Sequence, residues 1–407
     1  MTKQQTSDDL EVKKALKSFY TISTFWSAFF ATANWFFFWR IFLSSGKIGL
    51  VDSICFLVGM IAQIPTGAIA DKIGRRQTMI LGTTLMGLGY GFTGLASSGI
   101  DIFIGYLVYS VGSSFYSGAD DAYMYDYLKA KNLEGTWETV ARRKQMFGRI
   151  SYMLAIFIGG YLYIANVRLP SIARGIVFLL AVIPLIYMKF MDRYQPTSIK
   201  GVTTTYGKHI WTGMKEVLNK RMLSATVLIL IIQGVTVSMF IGGILRPLML
   251  QRSGLPINDQ SNFLVLVSIP LTIFLFRKIK RGKLSVYSRA ILWSVCILAG
   301  FLLNISVRSF PAAIAGIVLI LFGNYLLVPV TSKLINDNAS SRHRATALST
   351  AGLLEDIPYV IAGPLIGLAA DRNEFTLVIK LISVFIALSI LISLFAHKKY
   401  SNIEALA

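Results

Sequence analysis

Charge is scarce in this sequence. Lys, Arg, Asp and Glu make up 15% of its 407 residues, where a soluble domain carries about a quarter. Cysteine is nearly missing: Cys55 and Cys296 lie far apart, each inside an apolar run. They read as buried residues and mark no redox compartment. Histidine is limited to His209, His343 and His397, all in polar segments, which leaves no metal cluster and no histidine–acid pair for catalysis. A membrane-embedded acyltransferase or protease is thereby disfavoured. No phosphate-cradling G-x-x-x-x-G-K-[ST] occurs, so nothing points to ATP hydrolysis. No enzyme activity and no cofactor are expected, and any work must draw on an ion or solute gradient. The opening stretch through Lys17 is polar, and the apolar run behind it is too long for a signal-peptide core.

Apolar residues fill the gap, at 54% of the chain. Ile22–Phe38, Ile176–Met188, Leu223–Leu245 and Leu381–Ala396 are too continuously apolar for surface helices of a soluble domain. About 20 apolar residues cross a bilayer as a helix, and only a helix satisfies its own backbone there. Twelve such spans are predicted. The first six are Ser18–Leu43, Gly49–Ala70, Thr78–Ala96, Asp101–Leu128, Met146–Ala165 and Ile172–Met191. The last six are Leu223–Gln251, Asp259–Phe276, Leu284–Ile305, Pro311–Ile335, Ala347–Ala370 and Phe375–Ala396. The expected fold class is thus an all-α integral membrane protein of 12 transmembrane helices in two six-helix halves. Residues 1–191 form the first bundle, 192–222 a cytoplasmic linker, and 223–407 the second bundle. Within the linker, Lys208–Met222 has the periodicity of a basic amphipathic helix lying at the membrane surface.

The formal net charge of +20 raises nucleic acid as a partner, but its distribution points to the lipid bilayer. Thirty-one of the 40 basic residues fall in segments on one side of the predicted spans. The rest, Arg40, Lys47, Arg168, Arg174, Arg246, Arg252, Arg308, Arg372 and Lys380, fall on the other. Basic residues are retained in the cytoplasm, so both termini are expected there. The charge is topological and no nucleic-acid partner is expected.

Between the second and third spans the chain reads Gly67-Ala-Ile-Ala-Asp71-Lys72-Ile-Gly74-Arg75-Arg76. Gly74 permits a tight turn, Arg75 and Arg76 hold the loop in the cytoplasm, and Asp71 can accept from a helix terminus or a cation. This resembles the signature G-x-x-x-D-[RK]-x-G-R-[RK] of the major facilitator superfamily, in the loop where that family carries it. The twelve spans, the six-plus-six division, the long central loop and the cytoplasmic ends resemble it too. The resemblance implies alternating access between pseudo-symmetric halves and a gating role for Gly67, Asp71, Gly74, Arg75 and Arg76. It also implies a monomer. Ser117-Gly118-Ala-Asp120-Asp121-Ala-Tyr-Met-Tyr125-Asp126 is similar to a pattern in one bacterial branch, and short loops suit a bacterial cytoplasmic membrane. The fifth span departs from the drug-exporter pattern: it reads Ile158-Gly159-Gly160-Tyr161, with the glycines but no proline.

A charge in hydrocarbon costs about 2.5–3.5 kcal/mol, so intramembrane acids are functional candidates. Asp120, Asp121, Glu355 and Asp356 qualify as proton-coupling carboxylates. Tyr106, Ser110, Ser113, Ser117 and Asp121 recur at helical spacing, a polar stripe with Asp120 about 100° away. The family resemblance, in which span four lines a central cavity, implies that Asp121 lies in it. In the family, spans one, four, seven and ten line that cavity, which adds Ser27, Asn34, Gln233, Thr236, Asn324 and Tyr325 as substrate candidates. Aromatic neighbours of a carboxylate would suit a lipophilic cation. Trp35, Trp39 and their Phe neighbours suit interfacial anchors better than cavity residues. Together these predict a proton-coupled exporter of small amphipathic or cationic compounds. A narrow-substrate metabolite transporter is the alternative, and a transporter-like sensor or scaffold a third.

Overall fold

The computed structural model describes residues 3–117, 119–194, 215, 228–276, 284–305, 309–338 and 344–404. All regular structure among them is helical. In order these are α1 (Lys3–Trp26), α2 (Trp35–Trp39), α3 (Ser45–Ile73), α4 (Arg75–Gly94), α5 (Gly99–Tyr116), α6 (Ala119–Ala130), α7 (Trp137–Ala165) and α8 (Leu169–Tyr187). There follow α9 (Leu228–Gly242), wound as a π-helix, then α10 (Leu245–Ser253), α11 (Ile257–Phe276) and α12 (Val286–Leu303). Last come α13 (Phe310–Asn338), α14 (Arg344–Asp371) and α15 (Phe375–Glu404).

Joined across their breaks, these helices account for the twelve predicted spans. The breaks correct three spans expected to be continuous. Span one is α1 and α2 around an irregular stretch, span four is α5 and α6, and span seven is α9 and α10 bent by 68°. By length and hydropathy alone, six described helices can cross a membrane, or seven if that bent pair counts as one. For spans one, four and seven the break itself leaves pieces too short to cross alone; α4, α11 and α14 are unbroken and fall outside the six as well.

Two compact units emerge. One comprises Met1–Phe42, Leu57–Thr203 and Asn258–Val265; the other comprises Leu43–Phe56, Thr204–Ile257 and Leu266–Ala407. The division follows the central polar stretch, except that the opening part of α3 joins the second unit and a short piece of α11 joins the first. The linker helix expected over Lys208–Met222 lies outside the described residues save Lys215, which is helical and exposed.

In the first unit, α4 packs along α5 and α8. Glycines set the closeness. A Cβ on Gly89 would meet the Gly105 carbonyl at 2.6 Å, and one on Gly175 would meet the Gly91 nitrogen at 2.6 Å. This is the small-residue packing of membrane helices, in which dispersion replaces the hydrophobic effect. The core between α1, α4, α6 and α8 is filled by Phe19, Ile22, Met86, Tyr123, Phe178 and Leu185. In the second unit, α12 packs on α13, and α9 on α14. The opening part of α3 lies against α14, where a Cβ on Gly49 would sit 2.2 Å from the Gly363 carbonyl.

Two expectations fail on burial. Trp39 and its neighbours Phe36, Phe37 and Phe38 are buried. They are core residues and not interfacial anchors; Trp39 meets the Tyr106 ring edge-on at 4.9 Å. Arg174 and Arg246, counted with the topological charges, are also buried.

Candidate transport site

The signature loop turns at Gly74, whose φ of +93° and ψ of 147° belong to a region that essentially only glycine occupies. Each arginine that follows finds an acid. Arg75 pairs with Asp126 of α6. The Arg76 Nε donates to both Asp192 oxygens at 2.8 and 3.1 Å. Asp192 also accepts the Tyr123 hydroxyl at 2.7 Å. These arginines are therefore structural ties as well as charges, fastening the start of α4 to α6 and to the segment after α8. Gly67 and Asp71 lie in the last turns of α3, and the side chain of Asp71 lies outside the described residues.

Span four breaks where the small residues precede the acids. Ser117 has extended ψ (120°), its N–H donates to the Ser113 carbonyl, and α6 restarts at Ala119. The polar stripe read as continuous is cut there: Ser113 is half-buried in α5 and Ser117 is exposed at the break. Asp120 and Asp121 open α6, where carboxylates complement the helix dipole. As consecutive residues of α6 they still point about 100° apart, yet one cation reaches both. The Lys144 ammonium of α7 lies 2.6 Å from Asp120 and 2.7 Å from Asp121. Asp120 is the more enclosed, its side chain 13% exposed against 52% for Asp121, and the Tyr116 hydroxyl reaches it at 3.4 Å. Sequence reading missed Lys144, which it counted among topological charges.

Span one stops at Trp26, and its last carbonyls face a cation. Arg174 of α8 donates through Nη1 to the Phe25 oxygen (3.1 Å) and through Nη2 to that of Trp26 (2.6 Å). Its guanidinium lies 3.7 Å from the centres of both the Phe29 and Phe178 rings. A helix C-terminus leaves unpaired carbonyls with partial negative charge, and Arg174 answers both. Phe29, one of the span-one aromatics expected beside a carboxylate, thus packs with Phe178 of α8 on an internal cation. Asn34, at the far end of the break, is buried and donates to the Gly159 carbonyl at 3.3 Å. Its Oδ1 has no hydrogen-bond partner among the described residues. Ser27 faces α7, where a Cβ on Gly148 would lie 2.8 Å from its hydroxyl.

In the second unit, the Asn324 amide of α13 donates to the Thr236 hydroxyl of α9 at 2.8 Å, so these two candidates meet. Gln233 is buried, its Oε1 without a partner among the described residues, and Tyr325 is half-buried. Asp356 accepts from the Ser238 hydroxyl at 2.6 Å. Glu355 is half-buried and has no hydrogen-bond or ion-pair partner among the described residues. It lies eleven residues into α14, roughly 16 Å along the axis and near mid-membrane. The π-helix comes close here: a Cβ on Gly234 would lie 3.0 Å from the Glu355 carbonyl.

Asp52 was passed over in the sequence. It is a buried acid of α3 that accepts the Tyr359 hydroxyl of α14, while Ser53 donates to the Tyr359 carbonyl at 3.3 Å. The rule that picks out intramembrane acids would have found it. Outside the spans, Asp371 accepts from the Ser45 and Gly46 N–H groups at 2.9 and 2.8 Å, capping α3 from the end of α14. Burial pushes its pKa up, but those amide bonds outweigh it and hold the carboxyl below its ordinary value.

The sequence matches the family model for the Major Facilitator Superfamily over residues 18–303. The chain belongs to the major facilitator superfamily. No curated protein matches it by sequence. Its fold is similar to that of the nucleoside transporter NupG, at a TM-score of 0.74 and 14% identity over 96% of this chain and 99% of that one. The POT family transporter PepTSo compares at 0.72 and 10% identity, over 96% and 98% of the two chains. A bacterial homolog of the human lysosomal transporter Spinster compares at 0.66 and 15% identity, over 95% and 96%. This facilitator is accordingly a multi-pass membrane transporter and not an enzyme.

Proposed function

We propose that this chain couples movement of a small organic solute to protons, with Glu355 as the carboxylate that takes up and releases the proton. The observation that supports it is a mid-span acid with no hydrogen-bond or ion-pair partner among the described residues. A buried charge is stable in hydrocarbon only when paired, and an unpaired carboxyl persists there as the neutral acid. Glu355 therefore has to bind a proton or a cation whenever its surroundings close. By contrast, Asp356 is held by Ser238, and Asp120 and Asp121 share Lys144. Pro358, one turn on, removes a backbone donor from α14 and lowers the cost of bending beside the acid.

The chain works as a monomer in a bacterial cytoplasmic membrane with both termini in the cytoplasm, and alternates access by movement of its two halves. The solute is a metabolite-like compound, as the named cargoes of NupG and the POT transporters are. Drug-type efflux is the second reading. It is favoured by Asp121, half-exposed on a cluster of two acids and one lysine that leaves one negative charge for a cationic solute.

Everted vesicles with an acidic interior test both readings. Collapse of the gradient is followed as nucleosides, dipeptides and lipophilic cations are added in turn. At least one class should release protons from wild-type vesicles, and Glu355→Gln should abolish that release while solute counterflow persists. Solute flux without proton movement, or full coupling in Glu355→Gln, would overturn the proposal. Response to many unrelated cations, lost in Asp121→Asn, would favour efflux of drugs.

A further inference from the structure

A groove of about 640 Å³ opens between α1 and α8, away from the acids described above and reaching the break of span one only at Phe25. One face of α1 supplies Lys14, Lys17, Thr21 and Phe25, which recur at helical spacing. The facing side of α8 supplies Leu180, Ile183, Pro184 and Tyr187. The chemistry changes along its length. Lys14 and Lys17 stand at one end, exposed and without an ion-pair partner among the described residues. Farther in, the walls are apolar. The Thr21 hydroxyl there is already committed to the Lys17 carbonyl at 2.9 Å. Leu180, Ile183 and Tyr187 remain 43%, 50% and 73% exposed, so this is outer surface at bilayer depth and not bundle interior.

Lys14 and Phe25 are eleven residues apart on one helix, roughly 16 Å along its axis. Half of a hydrocarbon core of about 30 Å is the same depth. The groove thus runs from the headgroup layer through one leaflet, with cations at the water end and an aromatic phenol beside them.

We infer that this groove binds an anionic phospholipid of the cytoplasmic leaflet. Lys14 and Lys17 grip the headgroup phosphate, and an acyl chain lies along Phe25, Ile183 and Pro184. Basic pockets between spans at the cytoplasmic face hold anionic headgroups in this way, and interfacial tyrosines sit at the same level. A free phosphate would leave the apolar length unused, and a zwitterionic lipid would bring a cation to two lysines. An occupant would bridge the cytoplasmic piece of broken span one to span six, where Arg174 already joins them farther in.

Native mass spectrometry of the delipidated full-length protein tests this, using phosphatidylglycerol and phosphatidylcholine with identical chains. Each lysine near the headgroup layer contributes about fivefold, so phosphatidylglycerol should bind about 25-fold tighter, and Lys14→Gln/Lys17→Gln should erase that preference. The corresponding Arg pair should keep it. Ile183→Trp, which fills the groove and leaves the charge, should weaken both lipids, and Lys129→Gln, at an exposed lysine elsewhere, should change nothing. Equal binding of the two lipids overturns the inference, as does an equal loss in Lys129→Gln. So does retention in both groove variants, or displacement of the lipid by millimolar inorganic phosphate.

Discussion

At the scale of single residues, the charges that matter are the ones buried with specific partners. Arg174 is fully enclosed, and its guanidinium meets two helix-end carbonyls and two ring faces. Arg174→Ala leaves the Trp26 carbonyl unpaired among the described residues, at about 1–3 kcal/mol for a buried group, while the Phe25 carbonyl keeps the Ala28 N–H. Its melting temperature in detergent should fall clearly below wild type. Arg174→Lys should rescue little of it, because an ammonium cannot fork to two oxygens while stacked between rings. An unchanged melting curve for Arg174→Ala would remove the capping role. Asp371 makes a pH prediction with a definite sign. Its folded pKa lies below the ordinary value, so its contribution is complete above the unfolded carboxyl pKa of about 3.9. It fades as pH falls through the folded pKa. Asp371→Ala should therefore melt below wild type at pH 6, by under about 1 kcal/mol at this exposed site, and the gap should close toward pH 3. A gap that widens on acidification would refute the cap.

At the scale of elements, the breaks in the spans are fitted to their neighbours. The irregular stretch of span one lies on Gly159 of α7, where a Cβ would come 1.9 Å from the Phe30 carbonyl. That contact is to backbone, which has no rotamer to yield. Gly159→Ala should cost about 1–3 kcal/mol by displacing the stretch. Gly91→Ala, with nothing within 4 Å of the added carbon, should be neutral or slightly stabilising from helix propensity alone. Parallel melting curves separate the two, and equal losses would mean that the glycines serve only to soften their helices. The glycines of span five were visible in the sequence, but the use they are put to was not. A close approach depends on a carbonyl more than a hundred residues away, which local pattern cannot reveal. The same holds for span four, where apolar continuity predicted one helix and Ser117 ends it. Lys144, from another helix, then gathers both acids on one side.

At the scale of the whole molecule, the basic bias of the loops predicts the orientation. In a background with Cys55→Ser and Cys296→Ser, Ser97→Cys should react with an impermeant thiol reagent in intact cells. Gly135→Cys should react only in everted vesicles. Both residues are exposed, one between α4 and α5 and one between α6 and α7. The reversed result would invert the topology and place the lipid groove in the opposite leaflet.

The sequence by itself determined that this chain crosses a membrane repeatedly, that its spans divide six and six, and that its family is the major facilitator superfamily. Those properties follow from local quantities: run length, the cost of burying charge, and one short signature in a loop. Tertiary structure alone decided where spans one, four and seven break and which charges are paired. It also decided that, among the described residues, Glu355 stands without a partner while Asp120, Asp121 and Asp356 do not. A helix break survives in hydrocarbon only if another element answers the freed carbonyls, and a buried charge only if an opposite charge or a donor reaches it. Both conditions concern residues distant in the chain, as Arg174 is from Trp26 and Lys144 from Asp120.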